Sequence, residues 1–292
     1  MDKDKVEVFY YKHYKKLMLI PIILLVISLI YIGSFYAKTG DLFVKDVSLK
    51  GGVSATVYTE KEINLDELKN HLKVDAEIRK LEDFTSGKQI GYLIEESDLP
   101  ADKLQQTLEE FFGFRLTQDN YTAEETGAKL GKAFTKQLLL AVLFAFILMA
   151  ITIFITFRTP APSLAVVFAA FIDITFPLAL VDFLKIPIST AGIIGFLLVI
   201  GYSVDTDILL TTWAIRKKEK TLFERMFHSM KTGLTMTFAA MGVMLVGIIF
   251  SNSVVIKEMF TIILFALFTD IIATYLTNAG ILMWYCQKKG IK

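Results

Sequence analysis

Six apolar runs, each close to the ~20 residues that a helix needs to cross ~30 Å of hydrocarbon, dominate this 292-residue chain. They lie at 17–36, 134–157, 162–184, 187–213, 232–251 and 259–285. The chain is therefore expected to be an α-helical integral membrane protein with six transmembrane helices. Composition agrees: 54% of the residues are apolar, and the charged 21% are segregated between the runs. A formal net charge of +1 gives no argument for nucleic acid. The first run, LMLIPIILLVISLIYIGSFY, is too long for a signal-peptide core and has no small-residue cleavage site after it. It reads as a retained anchor.

Basic residues set the expected orientation, because short cytoplasmic loops collect Lys and Arg. Lys3, Lys5, Lys12, Lys15 and Lys16 precede the first run, and Arg158 lies between the second and third. The basic segment RKKEKTLFERMFHSMK follows the fourth, and Lys288, Lys289 and Lys292 follow the sixth. With six spans these four segments share one side, while DFLKIP and SNSVVIKE opposite carry one lysine each. The expectation is a multi-pass plasma-membrane protein with residues 1–16 and 286–292 in the cytoplasm and 38–130 outside it. Cys286 has no second cysteine in the chain to pair with.

The external segment has its own pattern. GGVSATVYTE alternates like a strand, NLDELKNHLK opens on an Asn64 cap with Glu67 three residues on, and DAEIRKLEDF alternates again. QIGYLIEES then reads as a strand, PADKLQQTLEEFF as a helix with Pro100 in its first turn, and FRLTQDN as the last strand. The order βαββαβ predicts an extracytoplasmic α+β domain of ferredoxin-like type between helices 1 and 2. It holds no His or Cys cluster and no nucleophile–base pair, so binding or leverage is expected, with no catalytic residue, metal or cofactor. Asp46, Gly51 and Gly52, in DVSLKGG at the entrance to this domain, read as a site of tight backbone packing.

Carboxylates inside the apolar runs demand a different explanation, since charge at that depth costs several kcal/mol and is usually functional. Asp205 and Asp207 lie in GYSVDTDILL, Asp173 in FIDITFP four residues before Pro177, and Asp270 in FTDIIATYLTN. Two positions on a helix differ by about 200°, so Asp205 and Asp207 face different ways. One stripe reads Ser203, Asp207, Thr211 and the other Gly201, Asp205, Thr212. Lys231 and Thr235 open the fifth run, and Thr274, Thr277 and Asn278 follow Asp270. Lys231 is shallow enough to extend its ammonium to the headgroups, and hydroxyls in spans commonly serve packing. Four carboxyls with no matching base in the core suggest groups that hold a proton part of the time, as in a relay; a sodium ion among carboxylate, Thr and Asn oxygens is the competing chemistry. Asp205 is the first choice for the coupling site, then Asp207 and Asp173, with Asp270, Ser203, Thr211, Lys231, Thr235 and Asn278 in support.

Taken in order, DVSLKGG, TGAKLGKAFTKQLLLAVL, FIDITFP and GYSVDTDILLTTWAIRKKEK resemble the SecF branch of the SecD/SecF protein-export family over essentially the whole chain. Two features depart from the bacterial pattern. Asp205, Thr206 and Asp207 stand where GYS-x is usually followed by Asn and Asp, and Lys231 replaces the fifth-span arginine. Both point to an archaeal member. The resemblance implies a non-enzymatic subunit that pairs with a SecD-like protein in a bundle related to resistance-nodulation-division transporters. It implies association with a SecY/SecE-type translocon and use of the proton-motive force on a translocating polypeptide. The alternative is a proton-coupled exporter of lipids or small amphiphiles; a third reading is a scaffold for the SecD-like partner.

Overall fold

The computed structural model describes residues 3–291 except 75, 84, 85, 217–220 and 252. Lys217, Lys218, Lys220 and Lys292 of the basic segments thus lie outside the described residues. The chain forms two compact units.

The first unit takes Met1–Val44, Leu140–Ile186 and Ala191–Lys292 and is helical. In chain order its helices are α1 (Lys3–Leu17) and α2 (Leu19–Thr39), then, past the second unit's elements α3 to α5, α6 (Ala128–Phe157), α7 (Pro160–Phe183), α8 (Thr190–Arg216), α9 (Leu222–Phe250), α10 (Val254–Ile272) and α11 (Ala279–Lys289). Among the described residues, six helical stretches are long and apolar enough to cross a membrane: Glu7–Thr39, Leu130–Phe157, Pro160–Phe183, Thr190–Arg216, Leu222–Phe250 and Val254–Lys289. Their ends differ from those of the apolar runs, and caps set several of them. Gly40 and Gly290 end α2 and α11 in the left-handed conformation, Thr221 and Glu224 form a capping box on α9, and Ser253 caps α10. The third and fourth spans are each 56% buried over their most apolar window, against 6% for the second. The polar residues that matter sit on the enclosed spans. The sixth is interrupted by a π-helical segment, Ala273–Asn278, where the Ala279 N–H reaches back to the Thr274 carbonyl.

The second unit takes Lys45–Leu139 together with Pro187–Thr190. It contains α3 (Val47–Lys50), β1 (Gly52–Tyr58), α4 (Leu65–Leu72), β2 (Glu77–Glu82), β3 (Gln89–Glu96), α5 (Ala101–Phe112) and β4 (Tyr121–Thr126). The sheet is antiparallel throughout, in the order β2-β3-β1-β4. Val53, Ala55 and Val57 of β1 alternate onto the face covered by Leu68 and Leu72 of α4 and Leu104, Leu108 and Phe112 of α5. Asn64 caps α4 through its side chain. Two expectations are corrected here. Pro100 is the cap residue of α5 and lies outside its first turn. The last strand is Tyr121–Thr126, and FRLTQDN is the preceding loop. That loop is locked by its own turn: the Thr117 N–H donates to Asn120 Oδ1 at 2.7 Å while Leu116 is buried in the core.

Asp46, Gly51 and Gly52 build the start of this unit. Asp46 accepts the Ser48 N–H at 2.5 Å, capping α3, and its own N–H donates to the Ile188 carbonyl. Gly51 and Gly52 have φ of 91° and 137°, and a Cβ at Gly52 would collide with the Glu96 carbonyl. Only glycine fits at that turn.

Candidate functional site: a buried aspartate cluster

Three of the four intramembrane aspartates meet. Asp173 on α7, Asp207 on α8 and Asp270 at the end of α10 are each no more than 1% exposed. Each is brought inward by the stripe it belongs to. On α8 the stripe Ser203, Asp207, Thr211 is fully buried, and Thr206 beside it is buried too. On α7, Pro177 has no N–H to give the Asp173 carbonyl, so the helix loses one backbone bond at the site.

Hydroxyl and amide groups tie the carboxyls together. Ser203 Oγ donates to Asp173 Oδ2 at 2.5 Å. Thr206 Oγ1 lies 3.1 and 3.2 Å from the two Asp270 oxygens and 2.8 Å from the Ser203 carbonyl. Thr274 Oγ1 sits between two carboxyls, 2.8 Å from Asp207 Oδ1 and 3.0 Å from Asp270 Oδ1. The Asn278 amide donates to the same Asp207 oxygen at 2.6 Å. Asp173 Oδ1, Asp207 Oδ2, Asn278 Oδ1 and the Thr211 and Tyr275 hydroxyls are buried without a hydrogen-bond partner among the described residues.

Thr274 and Asn278, four residues apart and both within the π segment Ala273–Asn278, place their side chains on one Asp207 oxygen.

Comparison with known proteins fixes the family. The profile for "Protein export membrane protein SecD/SecF, C-terminal" matches residues 106–288. The chain belongs to the SecD/SecF family. It is similar to the protein-export membrane protein SecF of Methanocaldococcus jannaschii, 37% identical over 96% of this chain and 99% of that one. It is also similar to SecF of Pyrococcus furiosus, 33% identical over 98% of this chain and 96% of the relative. Both are archaeal, in keeping with the two departures noted in the sequence. Among solved structures, SecDF from Thermus thermophilus shares its fold with a TM-score of 0.73 at 15% identity over 95% of this chain. This chain spans 38% of that SecDF chain.

For a SecD/SecF chain the site differs in one respect from the order of preference drawn from sequence. Asp205, the first choice there, lies on the exposed face of α8 and joins none of the three buried carboxyls. The turn of about 200° that separates it from Asp207 sends the two apart. Lys231 and Thr235 are exposed on α9, the Thr235 hydroxyl bonding only to the Lys231 carbonyl. Ser203 and Asn278 belong to the cluster, and Thr211 is buried on the same α8 stripe. Sequence reasoning did not single out Thr206 and gave Thr274 no bridging role. The signal was the spacing Asp270, Thr274, Asn278, four residues apart each time.

Proposed function

We propose that this chain is a SecF-like subunit that assists protein export by coupling proton movement through the Asp173–Asp207–Asp270 cluster to work on a polypeptide. Its partners in this reading are a SecD-like protein, a SecY/SecE-type translocon, the translocating polypeptide and the lipid bilayer. The observation that carries the proton reading is a count of hydrogens. The Thr274 hydroxyl has one hydrogen and touches two carboxyl oxygens, so one contact is a hydrogen bond only if a carboxyl supplies the second. One charge moved across 100 mV releases about 2.3 kcal/mol, sufficient to bias a two-state equilibrium.

The same reading makes the second unit an extracytoplasmic domain of ferredoxin-like type, on the strength of its βαββαβ order and its sheet order β2-β3-β1-β4. It gives 17–36 as the first span, 134–285 as the remaining bundle, and 1–16 and 286–292 to the cytoplasm. Asp205, exposed on α8, is assigned to the surface that meets the SecD-like partner. The test is Asp207→Asn and Asp270→Asn in a strain lacking the native gene. Copurification with the SecD-like protein should persist while export driven by the proton gradient falls at least tenfold. Unchanged export in both variants reduces the protein to a scaffold, and failure to copurify with any SecD-like protein favours a separate exporter.

A further inference from the structure

The second unit contains a cavity of about 360 Å³, within the range of small-ligand sites. Its charged lining divides into satisfied and unsatisfied groups. Glu77 and Glu95 both bind Arg79, at 3.2 and 2.8 Å. Glu96 accepts the Asp98 and Leu99 N–H groups at 2.8 and 2.7 Å. The Lys50 and Lys69 ammoniums, which line the same cavity, make no ion pair or hydrogen bond among the described residues. The carboxylates are occupied and two cations are not, so the chemistry on offer is that of an anion receptor.

Geometry narrows the class of anion. Glu77 is both a wall residue and the first residue of β2, and β2 is an outer strand of the sheet. An extended chain hydrogen-bonding to that free edge would carry alternate side chains past the cavity mouth. We propose that this cavity receives a carboxylate side chain of an extended polypeptide lying along β2. That the polypeptide is an export substrate rests on the function proposed above; the binding itself does not.

Glu95 gives the site a built-in modulator. Burial first, with Asp46 and Glu77 adding to it and Arg79 and Lys50 opposing, pushes its carboxyl up to about 7. Lys45, Lys69 and Glu96 face the same space. Below that pH Glu95 is neutral; above it a further negative charge stands beside the ligand.

The test uses the purified full chain in nanodiscs and the fluorescence anisotropy of a labelled extended peptide rich in Glu, against the same peptide with Gln in place of Glu. The acidic peptide is expected to bind severalfold more tightly, and roughly fivefold more weakly at pH 8 than at pH 6, about the effect of one unit charge at ~4 Å in a watery setting. Glu95→Gln should remove that pH dependence at the tighter value. Lys50→Ala and Lys69→Ala, both at exposed positions that leave folding intact, should each weaken binding up to about fivefold. Equal binding of the two peptides, insensitivity to both lysine variants, or inorganic phosphate binding as tightly as the acidic peptide would overturn the proposal. None of these results bears on proton-driven export, which the aspartate variants test separately.

Discussion

At the scale of residues, the site depends on which hydroxyl stands between which carboxyls. Thr274→Val keeps the shape of the side chain and deletes the bridging hydroxyl, leaving Asp207 and Asp270 adjacent without a shared partner. Proton-driven export should fall about tenfold, and Thr274→Ser should restore most of it; equal loss in both would assign Thr274 to packing. Asp205→Asn should alter complex stability more than the proton dependence, read by comparing copurification with export at several external pH values. Glu95 makes a prediction of opposite kind. Its folded-state pKa of about 7 exceeds the usual 4.5, so the native state binds the proton more tightly than the unfolded chain. Stability of the second unit is full below pH 4.5, declines as pH rises through that window, and has lost on the order of 3 kcal/mol above pH 7. Glu95→Gln should therefore slow hydrogen exchange of β3 amides at pH 8 and change little at pH 4.5. How much of this was legible in the sequence varied by residue. That Asp205 and Asp207 face apart follows from helical periodicity alone, but which of them turns inward depends on the neighbours of α8. Glu95 gave no sign, because its burial arises from α3 and β2 closing around it in space.

Among the elements, the spans were legible because length and apolarity are local properties, and the succession of strands and helices along the second unit followed from alternation and caps. The last strand was misplaced because FRLTQDN alternates as well as YTAEET does; pairing with β1 decides between them, and pairing is nonlocal. The π segment was illegible for a related reason. A turn closed by i→i+5 bonds holds one more residue than an α turn, and no residue type in ATYLTN announces it. Deleting Ala273 is expected to let this stretch relax to α-helix and rotate Thr274 by roughly 100° relative to Asp270, out of its place between the two carboxyls. The chain should still insert and copurify while proton-driven export is lost, whereas export at the wild-type level would make the wide turn incidental. Gly52→Ala acts on the other unit. Its positive φ and the collision with the Glu96 backbone should destabilise the second unit by about 2 kcal/mol or more, measured by exchange of the β1 amides.

On the scale of the whole molecule, neither unit is a single stretch of chain. Pro187–Thr190, three loop residues after the third span and the first residue of the fourth, belong to the second unit. Within it, Lys45 pairs with Ile188 in a parallel bridge, the Asp46 N–H donates to the Ile188 carbonyl, and the Thr190 N–H donates to Ser48 Oγ at 3.1 Å. The domain is therefore not a cassette. A fragment excised at 45 and 139 leaves behind the partners of its own first turn, and residues 45–51 should exchange their amides faster in it than in the intact protein. A graft of this domain onto a relative will hold its shape only if the small loop from the far side of the third span travels with it.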